Sequence, residues 1–168
     1  MKPLVSIIMG STSDLPIMTK TAEILNEFKI PFEINALSAH RTPEAVEKFA
    51  KNASSRGIKV IIAAAGMAAH LPGVIASMTP IPVIGVPINA SLDGLDSIFS
   101  ILQMPPGIPV ATVGVNASQN AGILAAQIIA TGDENLMKEV IKYKENLKLK
   151  IVQANEELKA VKFQYKTN

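Results

Sequence analysis

The side chains best suited to chemistry in this chain lie in three short polar turns. In Ser38-Ala39-His40-Arg41-Thr42-Pro43 an imidazole stands beside a fixed cation. An imidazole in water titrates at about pH 6.5, so it gives and takes protons near neutrality, while a guanidinium keeps its charge and clamps oxyanions or phosphates. Gly10-Ser11-Thr12-Ser13-Asp14 offers hydroxyls and backbone N–H groups, a way to hold a phosphate without metal or lysine. Asp14, being anionic, suits sugar hydroxyls better. The same residues also suit an ordinary helix cap. The third turn, Ala65-Gly66-Met67-Ala68-Ala69-His70-Leu71-Pro72-Gly73, presents small walls and backbone amides that something must fit closely. Its His70 can orient the loop, donate to a ligand, or act structurally by bonding to backbone. Asn116-Ala117-Ser118-Gln119-Asn120 reads as a helix cap rather than as a wall closing a crevice.

What is missing narrows the chemistry. There is no cysteine, which removes disulfides, thiolate metal sites and thiol nucleophiles and is compatible with a reducing cytoplasm. No carboxylate cluster accompanies a histidine, no Gly-x-Ser-x-Gly elbow occurs, and none of the three turns carries a lysine. The expectation is a reaction without metal or cofactor on a small phosphorylated ligand, driven by one imidazole in a preorganised pocket.

Nucleic acid is a poor candidate partner. Residues 1–132 hold 8 basic and 8 acidic side chains and residues 133–168 hold 8 and 6, so the net charge of +2 comes from the tail. With 4% aromatic residues and no tryptophan, few platforms exist for base stacking. The N-terminal apolar run of about six residues is too short for a signal segment or a membrane span, so a soluble cytoplasmic protein is expected.

The elements that must position the turns follow from the apolar pattern. Runs at 4–9, 32–37, 59–65, 82–86 and 109–114 read as strands, the first nearly all apolar, as in a parallel sheet buried on both faces. Helices are expected between them: one capped by Asp14 and ended by Ile30-Pro31, one capped by Thr42 and ending before Gly57, and others near 72–78, 94–102 and 119–131. This alternation predicts right-handed crossovers and a three-layer α/β/α sandwich around a central parallel sheet. Ligands of such sheets sit at the strand ends, which is where the three turns fall.

A body at 1–132 is followed by an extension at 133–168. There Leu136, Val140, Tyr143, Leu147, Ile151, Ala154, Leu158, Val161 and Tyr165 recur every three or four residues, the mark of one long amphipathic helix. Over 133–163 it would run about 46 Å at the usual rise. A compact body of this size is only about 36 Å across. The helix must overhang, and its apolar stripe is expected to pack on neighbouring subunits of a closed homo-oligomer; a partly frayed tail is the alternative.

The ordered motifs Gly-Ser-x-Ser-Asp, Ser-Ala-His-Arg-Thr-Pro and Ala-Ala-His-Leu-Pro-Gly, with Gln103-Met104-Pro105 and Leu124-Ala125-Ala126-Gln127-Ile128 further on, resemble the class I 5-(carboxyamino)imidazole ribonucleotide mutases of purine biosynthesis over about residues 4–132. The resemblance implies that Ser11, Ser13, Ser38 and Arg41 hold the nucleotide phosphate, that Asp14 binds ribose hydroxyls, and that His40 is the general acid/base. Ala39, Ala65, Gly66, Ala68, His70 and Leu71 complete the expected pocket. It further implies an octamer whose neighbouring chains complete each site, and a carboxylate shift needing neither ATP nor metal. Two positions depart from the pattern: Met67 stands where a second glycine is usual, and Pro106 where an arginine commonly follows Gln-Met-Pro. The related class II enzymes, which carboxylate aminoimidazole ribonucleotide directly, carry lysine and glycine after the histidine, where this chain has Arg41-Thr42. A flavodoxin-like module is a third reading, weakened because no aromatic flanks either ligand loop to stack on a flavin.

Overall fold

The computed structural model describes all of residues 1–168. Five parallel strands, β1 (Val5–Met9), β2 (Phe32–Ala36), β3 (Val60–Gly66), β4 (Val83–Ile88) and β5 (Ala111–Thr112), form one sheet in the order β2-β1-β3-β4-β5. Ile7 lies opposite Ile34 on one side and Ile62 on the other, and Ile62 lies opposite Ile84. β1 and β4 are buried throughout and β3 up to Gly66, which explains their continuous apolar runs. At the edge, β2 leaves Ile34 45% exposed. β5 is shorter than the predicted 109–114. Pro109 brings no N–H to the ladder, and past Val113 the chain turns, with Ala117 N donating to Gly114 O at 3.0 Å.

The period of two along the strands divides the interior into two cores. Val5, Ile7, Met9, Val60, Ile62 and Ala64 share one with α1 (Leu15–Glu27) and α5 (Ser118–Ala130). Ile8, Ile61, Ala63 and Ala65 share the other with α2 (Pro43–Ala53), α3 (Leu71–Ala76) and α4 (Leu95–Leu102). Helices on both faces of a parallel sheet are the predicted sandwich.

α1 and α5 approach closely. Thr21 Oγ1 donates to Ser118 O at 2.7 Å, Ser118 Oγ donates to Ile17 O at 2.5 Å, and a Cβ on Gly122 would sit 2.3 Å from Ile24 Cγ2. Overpacking costs about 1–3 kcal/mol, against about 1 kcal/mol gained from alanine's helix propensity. Gly122→Ala is therefore expected to lower the denaturant midpoint; an unchanged or raised midpoint would mean that Ile24 rotates away freely.

α6 spans Glu134–Ala160, 27 residues or about 40 Å. Asp133 caps it, its Oδ1 accepting from Asn135 N and Leu136 N at 3.0 Å. Leu136 and Val140 join the first core, and Tyr143 meets Phe28 with ring centroids 5.3 Å apart. Beyond them the helix leaves the body: Leu147, Ile151 and Leu158 are exposed, as is Ile141 beside the stripe.

Candidate active site

The order β2-β1-β3 places a topological switch point at β1, where the crossovers on its two sides leave in opposite directions and open a crevice at the carboxyl ends of the strands. There the structure brings together every residue expected from the sequence. Gly10, Ser11, Ser13 and Asp14 come from the turn after β1, and Ser38, Ala39, His40 and Arg41 from the turn after β2. Ala65, Gly66, Met67, Ala68, His70 and Leu71 follow along β3 and its turn. They enclose about 400 Å³, within the usual range for a small-molecule site. Ala90, just past β4, also lines the cavity and was missed by sequence reasoning; its place after a strand end was the available signal. A larger groove of about 640 Å³ lies at the opposite ends of β4 and β5, but no ionisable side chain lines it, so the smaller cavity is the one equipped for chemistry.

The first turn is a short 3₁₀ segment, Thr12–Asp14, leading into α1. Ser11 rather than Asp14 caps it: Ser11 Oγ accepts from Ser13 N at 3.3 Å, whereas the Asp14 side chain makes no cap bond. Ser13 Oγ instead donates to Asp14 Oδ1 at 3.2 Å. With both hydroxyls and the carboxylate on one short turn, α1 opens toward the cavity behind polar groups that are not spent on its own amides.

The second turn is closed on itself. Thr42, expected as a helix cap, turns its hydroxyl back: Oγ1 accepts from Ser38 N at 3.0 Å and donates to Ser38 O at 3.1 Å. A side chain that can satisfy a nearby loop competes with the helix for the same hydroxyl, and here the loop wins. Arg41 then bridges two turns, its Nη2 donating to Gly10 O at 2.6 Å and its Nε to Ser38 Oγ at 3.3 Å. It is the one permanent cation lining the cavity.

The third turn lies against β4. A Cβ on Gly66 would meet Ala90 Cβ at 3.0 Å and Ile88 O at 3.3 Å, so glycine is needed for the close approach. Met67 takes a left-handed backbone, φ +55°, and stays 58% exposed, a conformation that a glycine would adopt without strain. His70 does not spend its ring on backbone. Its Nδ1 lies 2.9 Å from His40 Nε2, with the rings edge to face and centroids 5.1 Å apart. Asn116 proves to be neither cap nor wall: from φ +57° its Oδ1 accepts from Asn89 N at 3.0 Å, bracing the loop that carries Ala90, and Ala117 takes the cap position.

Burial pushes the Asp14 carboxyl above its usual range, partly offset by the hydroxyl of Ser13. A folded-state value above the unfolded one means this carboxyl favours folding fully below the ordinary 3.8 and loses that contribution as pH rises through the folded value. Asp14→Asn is accordingly expected to raise the melting temperature at neutral pH and to leave it unchanged well below pH 3.8, measured by thermal melts across pH. A loss of stability at neutral pH would contradict this.

A model of the AIR carboxylase family, AIR being aminoimidazole ribonucleotide, matches residues 4–150. The chain belongs to this family. Among its AIR carboxylase relatives, the N5-carboxyaminoimidazole ribonucleotide mutase of Thermotoga maritima is 55% identical over 160 residues, covering 95% of this chain and 94% of the relative. The mutase of Methanocaldococcus jannaschii is 54% identical, covering 93% and 98%. The phosphoribosylaminoimidazole carboxylase of Schizosaccharomyces pombe is also 54% identical, but this chain spans only 29% of that longer protein. The crystal structure of Treponema denticola PurE superimposes with a TM-score of 0.85 at 35% identity, covering 94% of this chain and 99% of that one.

Proposed function

We propose that this chain is an N5-carboxyaminoimidazole ribonucleotide mutase of purine biosynthesis. The observation that carries the reading is the placement of an imidazole and a single fixed cation on one locked turn at the switch point of the sheet. It is supported by similarity to proteins of that name along nearly their full length.

In this reading the phosphate lies at the start of α1 between Ser11, Ser13, Ser38 and Arg41, where backbone N–H groups and a guanidinium converge. Asp14 takes ribose hydroxyls. The base rests against Ala39, Ala65, Gly66, Ala68 and Leu71, with His70 at its rim. The carbamate N–C bond breaks with its electron pair left on nitrogen, and His40 delivers a proton there. The electron-rich ring carbon then attacks the released carbon dioxide, forming the new C–C bond, and that carbon gives its proton back to His40. Nothing is oxidised or reduced, and protons balance over the cycle. His40 and Ala68 are exposed in the single chain, so in this reading the small-residue walls keep water out and carbon dioxide in between the two steps only once a neighbouring copy covers them.

The exposed stripe of α6 and the exposed face of α4, Leu95, Phe99 and Leu102, support burial against further copies of the chain. We assign the helical extension as an assembly arm and the oligomer as an octamer. No helix is long and apolar enough to cross a membrane, and the enzyme is assigned to the cytoplasm.

The test is conversion of the carboxyamino substrate by purified protein without ATP or metal, with labelled bicarbonate in solution. Turnover faster than entry of label into product is expected. Turnover only from aminoimidazole ribonucleotide and bicarbonate would instead assign the direct carboxylase activity named for the fungal relatives. Light scattering should return eight times the 17.8 kDa chain mass, and a monomer would overturn the assembly.

A further inference from the structure

We propose that Met67 is a specificity residue, a flexible thioether arm that folds over the open face of the heteroaromatic ring of the ligand. The proposal rests on the reading of this cavity as a nucleotide site.

Met67 holds a conformation that costs free energy and returns nothing within the free chain. Its backbone is left-handed, φ +55°, where a Cβ crowds the following carbonyl. Asn116 is left-handed too, but its side chain returns a hydrogen bond, accepting from Asn89 N at 3.0 Å. Met67 makes no such bond and stays 58% exposed, so the body of the protein gives it little packing either. Its neighbours keep it there. Gly66 lies against Ala90 and Ile88 on one side. On the other, His70 N donates to Ala68 O at 2.8 Å, and Ala69 and Leu71 are buried in the second core. Glycine would occupy this place without strain.

The cavity supplies the missing partner. Of its apolar lining, Ala39, Ala65, Ala68 and Ala90 are too short to reach across a ring, and Leu71 is committed to the second core. Only Met67 combines length with exposure. Its rotatable bonds let it follow a ligand into place, and its sulfur makes favourable contacts with aromatic rings. The hydroxyls, carboxylate and guanidinium of the first two turns suit phosphate and sugar. The arm addresses what they leave, the flat base. An apolar side chain that is covered only when a ring is present favours base-bearing ligands over a bare sugar phosphate.

Three variants separate this role from packing. Met67→Gly removes both arm and strain, Met67→Ala removes the arm and keeps the strain, and Met67→Leu keeps an apolar reach. The first two are expected to raise KM for the carboxyamino substrate about 2- to 10-fold with kcat within about twofold, and Met67→Leu to stay within about twofold in both. Met67→Gly should also melt about 2–4 °C higher than the parent. With methionine methyls labelled with carbon-13, the Met67 signal, identified by its loss in Met67→Ala, should move upfield when the carboxylated product nucleotide binds and stay in place with ribose 5-phosphate. An unchanged KM in the Gly and Ala variants, a lowered melting temperature in Met67→Gly, or a product that binds without moving the methyl would each overturn the proposal. So would a smaller assembly in light scattering of Met67→Ala, which would make Met67 a contact between copies. Binding of neither probe would overturn the proposed function along with it, whereas a bound product and a still methyl would overturn this inference alone.

Discussion

His40→Ala should reduce turnover by about 10²–10⁴-fold, to the assay background, while the protein still binds the nucleotide within a few-fold of the parent. The ring has one hydrogen-bond partner, His70, and bonds to no backbone group. The turn that carries it is held by others: Thr42 ties both ends of Ser38, and Arg41 anchors to Gly10. Truncation therefore removes the proton carrier and leaves the cavity standing. Calorimetric binding of the carboxylated product beside a rate assay makes the distinction. A near-normal rate would end the assignment of His40, and lost binding together with a lowered melting temperature would make it a structural residue instead.

Arg41→Ala is expected to act on the other parameter. Hydrogen bonds to charged groups contribute about 1.5–3 kcal/mol, so losing the guanidinium from a phosphate should raise KM about 10- to 100-fold. A smaller fall in kcat should accompany it, because Arg41 also joins the turn after β1 to the turn after β2. Arg41→Lys should recover only part of the affinity. An ammonium keeps the charge but cannot reach Gly10 O and Ser38 Oγ while forking onto an oxyanion. Steady-state kinetics on the three proteins provide the check, and a loss confined to kcat with KM unchanged would place Arg41 at the reacting centre rather than on the phosphate.

Much of this site was legible in the linear chain because strand-end turns announce themselves. A continuous apolar run ending in Gly10 or Gly66 fixes where the sheet stops, and polar residues immediately after it have nowhere to lie except the crevice. What misled was every hydroxyl or amide with more than one partner in reach. Thr42 and Asn116 both sit where a cap is wanted, yet the first closes its own turn and the second braces Asn89. Asp14 yields its capping role to Ser11, three residues earlier, because a 3₁₀ turn precedes α1. Local preference names the candidates for such bonds, and three-dimensional neighbours choose among them.

Spacing and hydropathy alone determined a parallel sandwich, a crevice with one imidazole and one guanidinium, and a terminal helix too long for its body, since burial periodicity and helical rise are properties of the chain itself. Only the tertiary structure decided that His40 and His70, 30 residues apart, meet nitrogen to nitrogen. Side-chain direction at the ends of β2 and β3, the two strands that flank β1, depends on twist, register and turn geometry together, and no single stretch of sequence encodes all three.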